Sequence, residues 1–355
     1  TLPEERTDMT ATTQYSRAII ATTNIVRNTV LTVESLESAA KQITEGERKV
    51  VVLAEHDQTC PPLGMTVAGR VVEIEDGHRG LEVIYAHYGH PVFVELPNGD
   101  SGLLQALPEY PHPLTSSDFG DSQLPEIQID PSNFGGFEDA SVFLEEIRKI
   151  APELEYGTGV KERRSLIPDP EVVFRLGLSL SATWFAARMS KAAADAIEPR
   201  LKRFFDVVIE TVSKTAKTAI PILRPITYIV KVNGDTNVDF VVRSRDPNVV
   251  ISAFAGDFSE VSRQVSALKN RFGAEMIQFL LDEKKQWRFN YLLTRDGKVI
   301  GSKMSYDRQA VLLREMEAKA KEKLKYSPNK ANAVDEKESA ADISGVRRTT
   351  PPVKL

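Results

Sequence analysis

All five histidines of the 355-residue chain (His56, His78, His87, His90 and His112) and its only cysteine, Cys60, fall between residues 56 and 112. Imidazole and thiol are the side chains that titrate nearest neutral pH and that ligate zinc-like ions. Their confinement therefore marks the first place to look for a metal site or a nucleophile. The closest pair is His87 and His90. Residues three apart on one strand face opposite ways, so both reach one ion only if Tyr88-Gly89 turns the chain back on itself. They are the candidate metal ligands, with His56, Asp57, Cys60 or His78 available as a third. The ordinary state of such histidines is hydrogen-bonded or solvated, so the expectation is no cofactor, with zinc as the ion the set would suit.

Other short motifs carry chemistry that their surroundings must support. Gly99-Asp100-Ser101-Gly102 has the form of the nucleophile tetrapeptide of chymotrypsin-like proteases, but Pro97-Asn98-Gly99-Asp100 is also a hairpin turn, and the β region is too small for two barrels. Glu55-His56-Asp57 with Pro61, Pro62 and Gly64 resembles the first conserved segment of phage prohead maturation proteases. The resemblance covers this one segment and implies His56 as a base and Ser101 as a candidate nucleophile. Cys60 with a histidine is a further nucleophilic reading, set against a small buried hydrophobe in a Pro-rich loop. Glu283-Lys284-Lys285, with Asp239 on an earlier strand, fits a restriction-type nuclease element, yet it sits where a turn is expected and reads as solvated charge.

Charge divides the chain. Residues 50–157 carry nineteen Asp/Glu against four Lys/Arg, and residues 158–325 carry thirty Lys/Arg against twenty Asp/Glu. Within the basic part, Arg188, Lys191, Arg200, Lys202, Arg203, Lys214, Lys217 and Arg224 are dense enough to attract phosphate or an acidic surface. Asp195, Glu198, Asp206 and Glu210 interleave them, as on a mixed solvated helix face. These eight residues are the candidate nucleic-acid- or partner-binding set. Trp287, Phe289 and Tyr291 alternate and could stack bases, but the arrangement better suits packing against a helix.

The elements that must position these groups follow from periodicity. Val30, Val33, Leu36, Ala40 and Ile43 recur at helical spacing, predicting one helix near 29–45 within an N-terminal segment 1–46. Five short alternating runs across 47–107, separated by tight-turn sequences, predict a small antiparallel β-barrel of the SH3-like or OB-like kind. Residues 108–137 read as an acidic Pro/Ser/Gly linker. A helical region, 138–222, contains a helix near 138–150 and two more at about 170–198 and 200–219, the first of these started by Asp169-Pro170. Residues 223–325 predict an antiparallel α+β sandwich: a hairpin around 233–237, helices after Asp246-Pro247 and Asp257, three further strands, and a closing charged helix. A disordered tail, 326–355, completes the chain.

The fold class expected is therefore α+β and multidomain. With 41% apolar and 27% charged residues and one cysteine, the composition is that of a soluble, cytoplasmic protein without a disulfide framework. No membrane span is expected, because Arg175 and Arg188 interrupt the most apolar stretch. The function expected is non-enzymatic binding or assembly through the β-barrel and the basic α+β region, with a protein partner or self-association. The alternatives are a hydrolase, phage-related or metal-dependent, with its site in the His-rich region, and a nucleic-acid-binding protein using the basic 188–224 run.

Overall fold

A computed structural model describes residues 14–24, 31–107, 113–114, 124–152, 157–160, 169–177, 180–181, 183–184 and 199–326. Residues 1–309 form one unit and 310–355 a second.

Two open sheets replace the expected barrel. The first is antiparallel, in the order β1-β4-β3-β2, from β1 (Tyr15–Thr22), β2 (Val51–Val52), β3 (Gly64–Glu73) and β4 (Arg79–His87). Helix α1 (Val33–Thr44) starts where Thr32 accepts from Ser35 N at 3.2 Å, and it lays Leu36, Ala40 and Ile43 against Leu81 and Val83 of this sheet. All five strands expected across 47–107 exist. However, β5 (Val92–Glu95) and β6 (Ser101–Gln105) leave the first sheet and join the second through β6 to β14 (Val299–Ser302). Closure fails because the edge of β14 offers β6 a pairing partner that a five-stranded barrel would have had to supply internally.

The second sheet has ten strands in the order β5-β6-β14-β13-β12-β11-β10-β9-β7-β8. Its remaining members are β7 (Glu126–Ile129), β8 (Gly157–Val160), β9 (Glu171–Leu176), β10 (Thr227–Val232), β11 (Asn237–Arg243), β12 (Ala274–Leu281) and β13 (Trp287–Thr294). The hairpin β10–β11 forms as its alternation predicts. The sandwich is mixed rather than antiparallel: β7/β8, β9/β10 and β11/β12 are parallel. The two helices between β11 and β12 cross over the sheet and bring the chain back in the same direction, which a parallel neighbour requires.

The segment expected as a helix from 170 is strand β9. A run as short as Glu171–Leu176 carries no period that separates strand from buried helix, and the Asp169-Pro170 signal serves another purpose. Pro170 O accepts from Thr227 N at 2.8 Å, and the Asp169 carboxylate pairs with Arg224 and Arg243. Within the expected linker, β7 is a strand beside β9 with Ile127 and Ile129 buried.

One face of the large sheet carries α2 (Phe137–Arg148), α3 (Pro199–Thr218), α4 (Pro247–Ala255) and α5 (Ser259–Phe272). Asp246 caps α4 through Asn248 N, and Gly273 ends α5 in the left-handed conformation, φ 64°, that favours glycine. At the centre Phe240 meets Trp184, Phe258 and Trp287 edge-on, with centroids 5.3, 5.0 and 5.2 Å away. These geometries add to the burial energy of each ring. The opposite face meets the first sheet through Met65 and Ala86 against Met276, Leu293 and Val299. Among the described residues no helix is long and apolar enough to cross a membrane.

Phe240 is wholly buried. Phe240→Ala is expected to cost about 3–5 kcal/mol, read as a lowered urea midpoint with an unchanged m-value. A loss below about 1 kcal/mol would mean that the cluster does not organise the helix face.

Candidate functional site

Between the two sheets, residues 54–61 run across the polar part of the large sheet's second face. Ala54–His56 make one 3-10 turn in which Glu55 and His56 have positive φ, 47° and 60°. The Asp57 carboxylate then caps Thr59 N at 2.8 Å. From there the main-chain carbonyls point into the sheet. Gln58 O accepts from Gln278 Nε2 (3.0 Å) and Tyr291 OH (3.2 Å). Thr59 O accepts from Asn290 Nδ2 and from Arg308 Nη1, each at 2.8 Å, and Pro61 O accepts from Gln309 Nε2. The Gln58 side chain donates to Glu171 Oε1 at 2.8 Å.

A β-bulge makes this possible. Gln278 pairs with Tyr291 but Phe279 pairs with Phe289, so Asn290 is the extra residue. The bulge breaks the alternation that would have placed all three aromatics on one face. Trp287 and Phe289 pack with the helices, Val261 and Leu268 among them, while Tyr291 and Asn290 both turn towards residues 58 and 59. Re-aiming one side chain is what a bulge does beside a site. Gln278 and Asn290 lie in the largely apolar runs EMIQFLL and WRFNYLL. That was the available signal for them, since a buried amide must find partners.

Cys60 is fully buried beside Asp57, with Sγ 3.9 Å from Oδ2. Burial, and secondarily the Asp57 charge, push its thiol up to about 12. A thiolate nucleophile needs the opposite shift. Burial also pushes Tyr291 well above the usual phenol range, fixing its hydroxyl as a hydrogen-bond donor.

Beside this dock opens a cleft of about 630 Å³, in which charged groups stand among the apolar Leu96, Leu280, Phe289 and Met304. The β5–β6 turn supplies Asn98, Asp100 and Ser101, the β12–β13 turn supplies Asp282 and Lys284, and β13 supplies Trp287, Arg288 and Asn290. Ser302 ends β14, and Lys303 and Arg308 come from the start of α6 (Lys303–Tyr326), where Ser302 Oγ accepts from Ser305 N at 3.2 Å. Four cations thus face two carboxylates. Arg288 pairs with the half-buried Asp282 at 2.9 Å, and Lys303 pairs with Asp307 at 2.7 Å, both of these exposed. Arg308 is the least solvated of the four. Burial lowers its pKa, with Cys60 and Asp57 acting against that shift. Among the described residues its bonds run through Nη1 alone, to Thr59 O and, at 3.4 Å, Asn290 Oδ1.

The residues singled out by sequence are dispersed. His87 ends β4 with Nε2 2.6 Å from Ser16 Oγ, and His90 is exposed before β5. His78 Nδ1 lies 3.4 Å from Thr23 Oγ1, His56 enters the dock, and His112 lies outside the described residues. Among the described residues, no three His, Cys, Asp or Glu are placed to share a metal ion. Of the basic run, Arg188 and Lys191 lie outside the described residues, while Arg200, Lys202, Arg203 and Lys217 are exposed along α3. Lys214 pairs with Glu146 of α2 at 2.9 Å and Arg224 with Asp169. Asp239 accepts from Lys231 at 2.6 Å, and the Glu283–Lys285 segment forms the β12–β13 turn. Asp100, Ser101 and Lys284 are the motif residues that the fold does bring to one cleft.

No family model matches the chain, and no curated protein or solved structure is significantly similar to it.

Two outcomes follow from the dock. Asn290→Leu leaves the Thr59 carbonyl to Arg308 alone and takes from Gln278 Oε1 the donor it has in Asn290, and is expected to destabilise by about 1–3 kcal/mol in chemical denaturation. Cys60 is expected to resist thiol reagents at pH 8 until the protein unfolds. Because its folded pKa of about 12 exceeds the ordinary thiol value of 9.0, its contribution to stability is full below pH 9 and declines as pH rises towards 12. Rapid labelling of the native protein at pH 8 contradicts the buried placement.

Proposed function

We propose that this is a non-enzymatic binding protein that takes an acidic segment of a protein partner in the cleft between the β5–β6 turn, the β12–β13 turn and the start of α6. The observation that carries this reading is the charge of the cleft: Lys284, Arg288, Lys303 and Arg308 against Asp100 and Asp282. Arg288 and Lys303 are paired with Asp282 and Asp307, which leaves Lys284 and Arg308 against Asp100, one positive charge in excess, and Arg308 spends a single nitrogen on the dock. A desolvated guanidinium binds a carboxylate more strongly than an exposed lysine does, because the surrounding dielectric screens less. The first turn of α6 adds the positive end of its dipole.

Trp287 gives the cleft a half-exposed ring, while Asn98, Ser101 and Ser302 offer neutral hydrogen-bonding groups. This mixture of charge, an aromatic platform and neutral donors suits a peptide better than a free ion. It also supports the binding reading over the hydrolase reading. Ser101 is exposed at the rim with no histidine among the cleft residues, and Cys60 is held as a thiol. The nucleic-acid reading loses two of its cations to internal pairs, Lys214 with Glu146 and Arg224 with Asp169.

Hexaglutamate titrated against the full chain at low salt is expected to quench tryptophan fluorescence saturably, and hexalysine is not. The double variant Lys284→Glu/Lys303→Glu is expected to weaken hexaglutamate binding at least about tenfold, with circular dichroism unchanged. Hexaglutamate binding that is absent, or indifferent to both charge reversals, would overturn the proposal.

A further inference from the structure

The geometry points to β5 as a self-association edge: two copies of the chain pair antiparallel through β5, with Phe93 opposite Phe93 across a two-fold axis. Among the described residues, β5 is the last strand of the ten-stranded sheet and is hydrogen-bonded only to β6. Leu96 N donates to Asp100 O at 2.8 Å, continuing the register that sets Val94 against Gly102 and Val92 against Leu104. Main-chain groups alternate in direction along a strand. Val92, Val94 and Leu96 therefore turn their N–H and C=O towards β6, whereas Phe93 and Glu95 turn theirs outward. Extended one residue beyond the strand, which begins at Val92, the same alternation sets the Pro91 carbonyl outward, and proline has no N–H.

This outward row complements itself in one register. With Phe93 opposite Phe93, the two phenylalanines exchange N–H···O=C bonds, and each Glu95 N–H meets the Pro91 carbonyl of the other copy. Both outward donors of each strand find an acceptor, and the position without a donor needs none. A shift by two residues in one direction sets Pro91 against Pro97, neither of which can donate. The opposite shift sets Glu95 against Gly89, whose N–H is already spent on Ala106 O at 3.0 Å.

The side chains favour the same register. Phe93 is 76% exposed and Val92 57% exposed. Pairing stacks the two Phe93 rings on one face of the joined sheet and sets each Val92 beside the other copy's Val94 on the other face. Glu95 lies opposite Pro91, so no like charges face one another. An edge of four residues buries little area, so the dimer is weak and reversible rather than obligate. Pro91 and the shortness of β5 limit growth beyond two copies, because the pairing consumes the edge it uses.

Single-cysteine scanning on the full chain tests both the pairing and its register, since the native Cys60 is buried. Opposed residues of a hydrogen-bonded pair stand about 5.5 Å apart at Cα, within disulfide reach. Phe93→Cys is expected to form a disulfide-linked dimer at least about tenfold faster than Val92→Cys, which faces Val94 instead. In sedimentation velocity, the unmodified chain is expected to show a dimer fraction that rises with concentration. Phe93→Lys abolishes that fraction while leaving circular dichroism unchanged. Equal cross-linking rates at positions 92 and 93, a chain monomeric at every concentration, or a dimer indifferent to Phe93→Lys would each overturn the inference.

Discussion

Three main-chain carbonyls hold the first 309 residues together as one unit. Gln58, Thr59 and Pro61 present them to five donors, Gln278, Tyr291, Asn290, Arg308 and Gln309, contributed by β12, β13 and α6. Each carbonyl is costly to bury unpaired and each donor is costly to strand, so the contact is specific in register as well as favourable. Apolar packing of Met65 and Ala86 on Met276 and Leu293 supplies area beside it, but apolar area alone tolerates sliding. The hydrogen bonds do not. The cleft depends on this contact as well, since Asn290 and Arg308 belong to both.

Part of the charge contrast along the sequence is spent inside the molecule. Glu146 from the acidic half takes Lys214, and Glu126 on β7 lies 3.6 Å from Arg175 on β9. These pairs are partly exposed and individually weak, so they bias the halves towards each other without fixing their register. What remains outward is smaller and more local than a difference of net charge between halves: the cations around the cleft, and an α3 surface on which Arg200, Lys202 and Lys217 stay exposed.

Much of the C-terminal part was legible because its signals are local. The β10–β11 hairpin, the capped start of α4, the left-handed glycine after α5 and the turns around Asp282 and Asp296 all follow from residues within a few positions of one another. Pairings between distant segments were not legible in this way. Nothing in Ser101–Gln105 announces that its partner is Val299–Ser302 rather than another strand of the same run. Likewise Glu171–Leu176 is apolar enough for either a strand or a helix until β10 lies beside it. The site shows the same limit. Its donors Gln278, Asn290 and Arg308 were visible only as polar residues in or after apolar strands, and their acceptors are backbone atoms more than 200 positions away, which no side-chain motif can encode.

The departures from local rules converge on one contact. Glu55 and His56 are consecutive non-glycine residues in the left-handed region, a conformation costing about 1–2 kcal/mol each. On the facing side the bulge at Asn290 interrupts an otherwise regular ladder. Neither would persist without compensation, and each serves the other. The left-handed pair turns the chain so that the carbonyls of residues 58 to 61 point at the sheet, and the bulge turns an amide up to receive one of them. Natural chains break local preferences where a longer-range demand prevails. Here that demand is satisfying three buried carbonyls at once, and the cationic cleft is built on the frame it fixes.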